Sequence, residues 1–131
     1  MSVWPQSLST ADGELISISI RVEPSGLESL LEALAEVRFP INPQIYHDAA
    51  VIYRYPDDRE ETEAVTLVEF PAYEAHLPEV RAALESYGFD AGAIQAIPML
   101  DEIQSEARPE AVPPGARYVS RYRVKHRAAV A

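Results

Sequence analysis

Residues 14–22, ELISISIRV, alternate without a break. Side chains of an extended chain point to opposite faces in turn. Ile16, Ile18, Ile20 and Val22 therefore share one face, and Leu15, Ser17, Ser19 and Arg21 share the other. A strand with one apolar and one more polar face belongs to an antiparallel sheet covered on one side.

The rest of the chain follows from that strand. Leu27, Leu30, Leu31 and Leu34 recur at helical spacing, with Glu28, Glu32 and Glu36 outside the stripe. Ser25 and Glu28 have the S-x-x-E spacing of a capping box, and Pro40 and Pro43 stop the helix. In FPINPQIYH, two prolines three apart stiffen the entry to a second strand over about residues 45–55. In it Val51, Tyr53 and Tyr55 oppose Ile52 and Arg54. PDDREE reads as a charged turn and EAVTLVEF as the returning strand of a hairpin. Leu77, Val80, Leu84 and Tyr87 mark a second helix over about 78–87, with Pro78 in its first turn and Gly88 after its end. DAGAIQAIPML reads as a fourth strand. The order strand, helix, strand, strand, helix, strand predicts an α+β fold: a ferredoxin-like βαββαβ sandwich, its antiparallel sheet carrying two helices on one face. The expected organisation is a leader over 1–13, the domain over 14–100, a linker over 101–116 and a basic arm over 117–131, added as a further strand.

Composition excludes several classes. The chain of 131 residues is 47% hydrophobic, as a folded domain requires. It holds no cysteine, which removes disulfides, thiol catalysis and cysteine-held metals. No window approaches the roughly 18 apolar residues of a membrane span, and the first residues lack the basic and apolar regions of a signal peptide. The expectation is a cytoplasmic protein.

Charge is split. Residues 1–107 carry 20 acids against 5 Lys or Arg, hence -15; residues 108–131 carry 6 Lys or Arg against Glu110, hence +5. The last fifteen residues, RYVSRYRVKHRAAVA, interleave five of those cations with Tyr118, Val119, Tyr122 and Val124. Basic residues between tyrosines suit single-stranded nucleic acid, but an acidic body repels phosphate backbones and anionic membranes alike. The arm is better read as a strand. Tyr118, Ser120, Tyr122, Val124 and His126 would lie on one face. Arg117, Val119, Arg121, Arg123, Lys125 and Arg127 would lie on the other, meeting surface acids. It would cover a sheet edge of its own or a neighbouring subunit.

The run ISISIRVEPSGLESLLEALAEV resembles the opening of ACT domains, small regulatory modules in which a strand passes through a Pro/Gly turn into a helix. INPQIYHDAAVIYRYPDDREETEAVTLVEF looks like their central hairpin and LPEVRAALESYGFD like their second helix, so the likeness spans about residues 15–99. Its motif is the turn Glu23-Pro24-Ser25-Gly26. The usual turn has Asp or Asn and Pro directly before Gly, whereas Ser25 intervenes here. The resemblance implies a homodimer, with an amino-acid-like effector held near this turn.

On the residues alone, Glu23, Pro24, Ser25, Gly26 and Leu27 suit such a ligand because helix N–H groups accept an anion and glycine permits close approach. The alternative is that Ser25 itself caps the helix. His47 beside Asp48, and His76 between Glu74 and Glu79, have the chemistry of a metal site or proton shuttle. No HxH, HxxxH or HExxH spacing supports it, so no metal or cofactor is expected. Phosphate-binding glycine loops and a G-x-S-x-G nucleophile turn are absent from the sequence. Asp57–Asp58 and Glu60–Glu61 read as a solvated hairpin tip. The leading expectation is a non-catalytic, homodimeric module that binds a small molecule or regulates a partner, with no nucleic acid or membrane. Two alternatives are an enzyme or metal protein using His47 and His76, and an interaction module using the open sheet face and the arm.

Overall fold

The computed structural model describes residues 9–10, 13–104 and 107–126. A two-residue strand, β1 (Ser9–Thr10), pairs with the start of β2 (Gly13–Val22). A single 3-10 turn over Pro24–Gly26 leads into α1 (Leu27–Leu34). Then come β3 (Gln44–Arg54), β4 (Glu60–Tyr73), a 3-10 turn over Glu74–His76 and α2 (Leu77–Ser86). After a further 3-10 turn, β5 (Ile94–Pro98), α3 (Met99–Gln104), β6 (Ala107–Glu110) and β7 (Ser120–Val124) complete the elements of the described residues.

The apolar face of β2 behaves as its alternation dictates. Ile16, Ile18, Ile20 and Val22 pack with Val68, Phe70 and Ala72 of β4 beneath Leu30, Ala33 and Leu34 of α1 and Val80 and Leu84 of α2. Ile18, Ile20, Leu30 and Leu84 are wholly buried, each contributing about 1.5–3 kcal/mol by removal from water. The first helix spans its leucine stripe and goes no further. It ends at Leu34 because the Glu36 and Val37 N–H groups turn back to the Ala33 and Leu34 carbonyls. The capping box does not form: Gly26 stands at the helix start, with no side-chain cap.

The ferredoxin-like sandwich is not what the chain forms. Six antiparallel strands make a nearly closed, barrel-like sheet with three short helices, in the order β5-β2-β4-β3-β7-β6. Part of the stretch expected as a linker, 101–116, supplies the end of α3 and all of β6. The arm's strand is not the last in the sheet: β7 lies between β3 of its own chain and β6.

Arg123 reveals the curvature. In a flat sheet β7 would stand three strand spacings, about 14 Å, from β2. Yet Arg123 Nη1 donates to the Ser19 hydroxyl at 3.0 Å and to the Ser19 carbonyl at 2.9 Å. The gap between the outermost strands is bridged as well, by Gln95 Nε2 of β5 donating to the Pro109 carbonyl of β6 at 2.7 Å.

The closure has a cause in β2. Its second face has too few apolar atoms at Ser17 and Ser19 to pack a helix, yet each of these serines is only 5% exposed. Buried hydroxyls and carbonyls need partners, and the small serines leave room for a long guanidinium. The basic face of the arm therefore turns inward rather than to surface acids. Its opposite face packs Tyr122 and Val124 on Ala50 and Ile52. The interior also holds an apolar group of Ala49, Val51, Val65 and Leu67, flanked by Tyr46 and Tyr53, with Glu69 buried beside it. Arg117 lies outside β7, and Arg127 lies outside the described residues.

A candidate ligand groove at the hairpin end of the barrel

The barrel interior is tied by a buried ionic cluster. Arg123 is 1% exposed. Its Nε donates to Glu110, its Nη1 to Ser19 and its Nη2 to the Ala93 carbonyl at 2.9 Å. One side chain thus links β7 to β6, β2 and the entry to β5. Burial pulls the guanidinium below its ordinary value, while the charge and hydrogen bond of Glu110 act in the opposite sense. Arg121 Nε lies 3.0 Å and Arg21 Nη1 3.8 Å from Glu110 Oε2. The first is off the hydrogen-bond line and the second too long for a hydrogen bond, so both are ion pairs only. Lys125 Nζ meets Glu69 Oε1 at 3.1 Å and lies over the Tyr46 ring.

A different group of residues opens to solvent at the tip of the β3–β4 hairpin. Tyr53 and Tyr55 are two apart and so project the same way. Tyr118 reaches them from the chain before β7, where the Val119 N–H bonds the Arg54 carbonyl at 2.8 Å. Its ring meets Tyr53 edge-on at 4.8 Å and Tyr55 at 6.3 Å between centroids. With Glu61, Thr62 and Glu63 of β4 the three tyrosines line a groove of about 400 Å³.

Two of the hydroxyls are held: Tyr53 donates to Glu63 Oε1 at 2.8 Å, and Tyr118 accepts from Arg121 Nη1 at 3.0 Å. Burial first, and the hydrogen bond to Glu63 second, push the Tyr53 phenol up to about 12. The Tyr55 phenol is raised chiefly by the Glu61 carboxylate. A hydroxyl lies on the axis about which its ring turns, so these bonds place the ring ends, while the edge-on contacts with Tyr118 constrain the planes. Two of the rings already carry a cation: the Arg59 guanidinium sits 4.4 Å from the Tyr55 centroid and that of Arg121 5.8 Å from the Tyr118 centroid.

The residues expected to bind a ligand lie elsewhere. Glu23, Pro24 and Ser25 are exposed, and Gly26 and Leu27 half-buried. The N–H groups of Gly26 and Leu27 are taken by the Glu23 and Pro24 carbonyls. A Cβ on Gly26 would meet Val22 Cγ2 at 3.1 Å, so this glycine serves packing against β2.

His47 is exposed, at the irregularity in β3 between Tyr46 and Ala49. His76 stacks on Phe39 at 4.1 Å and accepts the Tyr73 N–H through Nδ1 at 3.4 Å. The carboxylates beside it are engaged with backbone: Glu74 with the Glu14 N–H at 2.8 Å and Glu79 with the Arg38 N–H at 2.7 Å. Among the described residues no group of three or more His, Asp or Glu side chains comes together to hold a metal. Nor is any helix there long and apolar enough to cross a membrane.

Sequence reasoning missed the groove. The signal was the aromatic pair Tyr53 and Tyr55 facing two glutamates across a hairpin, but Tyr118 is sixty residues away and no spacing rule joins it to them. Compared with protein-family models and with curated proteins, the chain matches none. Its function is therefore argued from this geometry.

Proposed function

We propose that the chain is a small, non-catalytic binding module that takes a small molecule in the groove of Tyr53, Tyr55 and Tyr118. The observation that supports it is the convergence of three rings from two distant segments. The Tyr53 and Tyr118 hydroxyls are tied to Glu63 and Arg121, and all three half-buried rings line the groove. Aromatic surface backed by a few placed polar groups is how proteins hold small molecules. The barrel interior supplies the rigid base, through the cluster around Arg123 and Glu110.

The ACT resemblance implies a homodimer, and light scattering, which reads the mass in solution, tests that expectation separately from the groove. A thermal-shift screen of small molecules spanning positive, neutral and negative charge tests the binding reading. A bound compound at one hundred times its Kd stabilises the fold by about 2.7 kcal/mol. Tyr55→Leu and Tyr118→Leu should abolish the shift while leaving the unliganded protein folded. Compounds that bind equally well to both variants would place the site elsewhere.

A further inference from the structure

Resting on the groove reading, the geometry points to the chemical class of the ligand. We propose that the groove takes an organic cation, a small molecule with an alkylated ammonium head group, held over the rings of Tyr53, Tyr55 and Tyr118 with Glu61 and Glu63 beside it.

Three observations converge on a cation. The first is the rings themselves. An aromatic face is the negative pole of a quadrupole and attracts a cation within about 6 Å of its centroid. Tyr118 stands at 62° to Tyr53 and 85° to Tyr55, so the rings present walls in different planes rather than one flat stack. Faces set at such angles surround a compact, roughly spherical head group, as a flat surface does not.

The second is the tuning of one of those rings. Tyr53 donates its hydroxyl proton to the Glu63 carboxylate, whereas Tyr118 accepts from Arg121 and gains nothing of this kind. A phenol that leans its proton toward an anion gains electron density in its ring, which strengthens the attraction for positive charge. The Glu61 and Glu63 carboxylates add direct Coulomb attraction. Between residues 54 and 63 the hairpin carries Asp57, Asp58, Glu60, Glu61 and Glu63 against Arg54 and Arg59, a net charge of -3. Arg54 is taken up by Glu60, Nη2 to Oε2 at 2.6 Å.

The third is an occupant of the same chemistry. Arg59, exposed at the hairpin tip, places its guanidinium 4.4 Å from the Tyr55 centroid. The molecule thus uses this ring face for a cation of its own. That cation, on an exposed side chain, competes with a ligand. Arg21 and Arg121 reach Tyr53 by their charge from the interior side, and Arg121 also lies 5.8 Å from the Tyr118 centroid, so both oppose cation binding there. Glu110 offsets part of their charge, and both side chains are less than a quarter exposed, whereas Glu61 and Glu63 are exposed.

A charge series of one shape tests this. The probes are choline, its uncharged isostere with carbon in place of nitrogen, and pivalate. Binding is read from the ring-proton NMR shifts of Tyr53, Tyr55 and Tyr118 in the full chain. Choline is expected to shift all three rings saturably and to bind about tenfold more tightly than the carbon isostere, with pivalate weakest. Glu63→Gln should weaken choline several-fold. Arg59→Gln should tighten it, because the internal competitor and a repelling charge go together. Both substitutions are at exposed positions, and an unchanged thermal midpoint shows that the fold survives. Equal binding of choline and the isostere, or preference for pivalate, overturns the cation while leaving a groove that binds small molecules. If no probe moves the rings, the cation is overturned, and the thermal-shift screen alone then decides the binding reading.

Discussion

Arg123 carries more of this structure than any other single side chain. A guanidinium taken out of water costs several kcal/mol unless it is paired and its N–H groups are met. Glu110, Ser19 and the Ala93 carbonyl do that from three strands or their approaches. Arg123→Met removes the charge but leaves Glu110 inside, 7% exposed, with two arginines paired to it by charge alone. The expected loss is about 3 kcal/mol, read from urea unfolding. The double change Arg123→Met with Glu110→Leu should cost less than Arg123→Met alone, because no buried charge is then stranded in that pair. Tyr53 gives a second prediction at this scale. Its phenol is raised from 10.0 to about 12. The folded state therefore holds the proton more tightly than the unfolded one. This contribution to stability is complete below pH 10 and is lost as pH climbs toward 12. In a near-ultraviolet titration Tyr53 should ionise late, and Tyr53→Phe should delete the component near pH 12.

At the scale of the element, the β3–β4 hairpin is set by its tip. The Tyr55 N–H bonds the Arg59 carbonyl at 2.9 Å and the Asp58 N–H bonds the Tyr55 carbonyl at 3.0 Å. Asp58 holds φ at 65°. This is the three-residue loop in which a turn is followed by one left-handed residue, a place that favours glycine. Asp58→Gly should therefore raise stability by about 0.5–1 kcal/mol, measured by thermal unfolding. It also removes one acid from the hairpin tip, so a small fall in cation affinity should accompany it. The hairpin was legible in PDDREE, since Pro, Asp and charge between two β-branched runs mark a turn. The helix start was less so. Ser25 and Glu28 have capping-box spacing, yet Gly26 takes the start because the 3-10 turn satisfies its own N–H groups one residue further along.

For the whole molecule, the C-terminal hairpin is part of the fold. β6 and β7 supply Glu110 and Arg123, and they cover the β3 edge and the serine face of β2. A chain ending at residue 106 would expose that edge as a template for pairing with other chains and strand the Ser19 and Glu69 partners. Such a truncation is expected to lose cooperative unfolding and to self-associate. Circular dichroism and light scattering check it; a truncated chain that unfolds cooperatively as a monomer would show the hairpin to be an accessory. The groove would go with it, since Tyr118 stands in the same segment.

The alternation of ELISISIRV, the leucine stripe after it and the Tyr–Arg alternation of the arm are local consequences of two-fold and 3.6-fold periodicity. They follow from the sequence alone. Periodicity says which side chains share a face; it does not say which face is inside. Only the tertiary structure decided that the serine face of β2 would be buried, that the basic face of β7 would turn in to meet it, and that a sheet read as open would curl until nearly closed. The reason is energetic and non-local: a buried guanidinium is tolerated only where acceptors from several strands converge on it, and that convergence exists only once the barrel has formed. The groove is of the same kind, two tyrosines placed by the pleat of one strand and a third brought across the chain by closure.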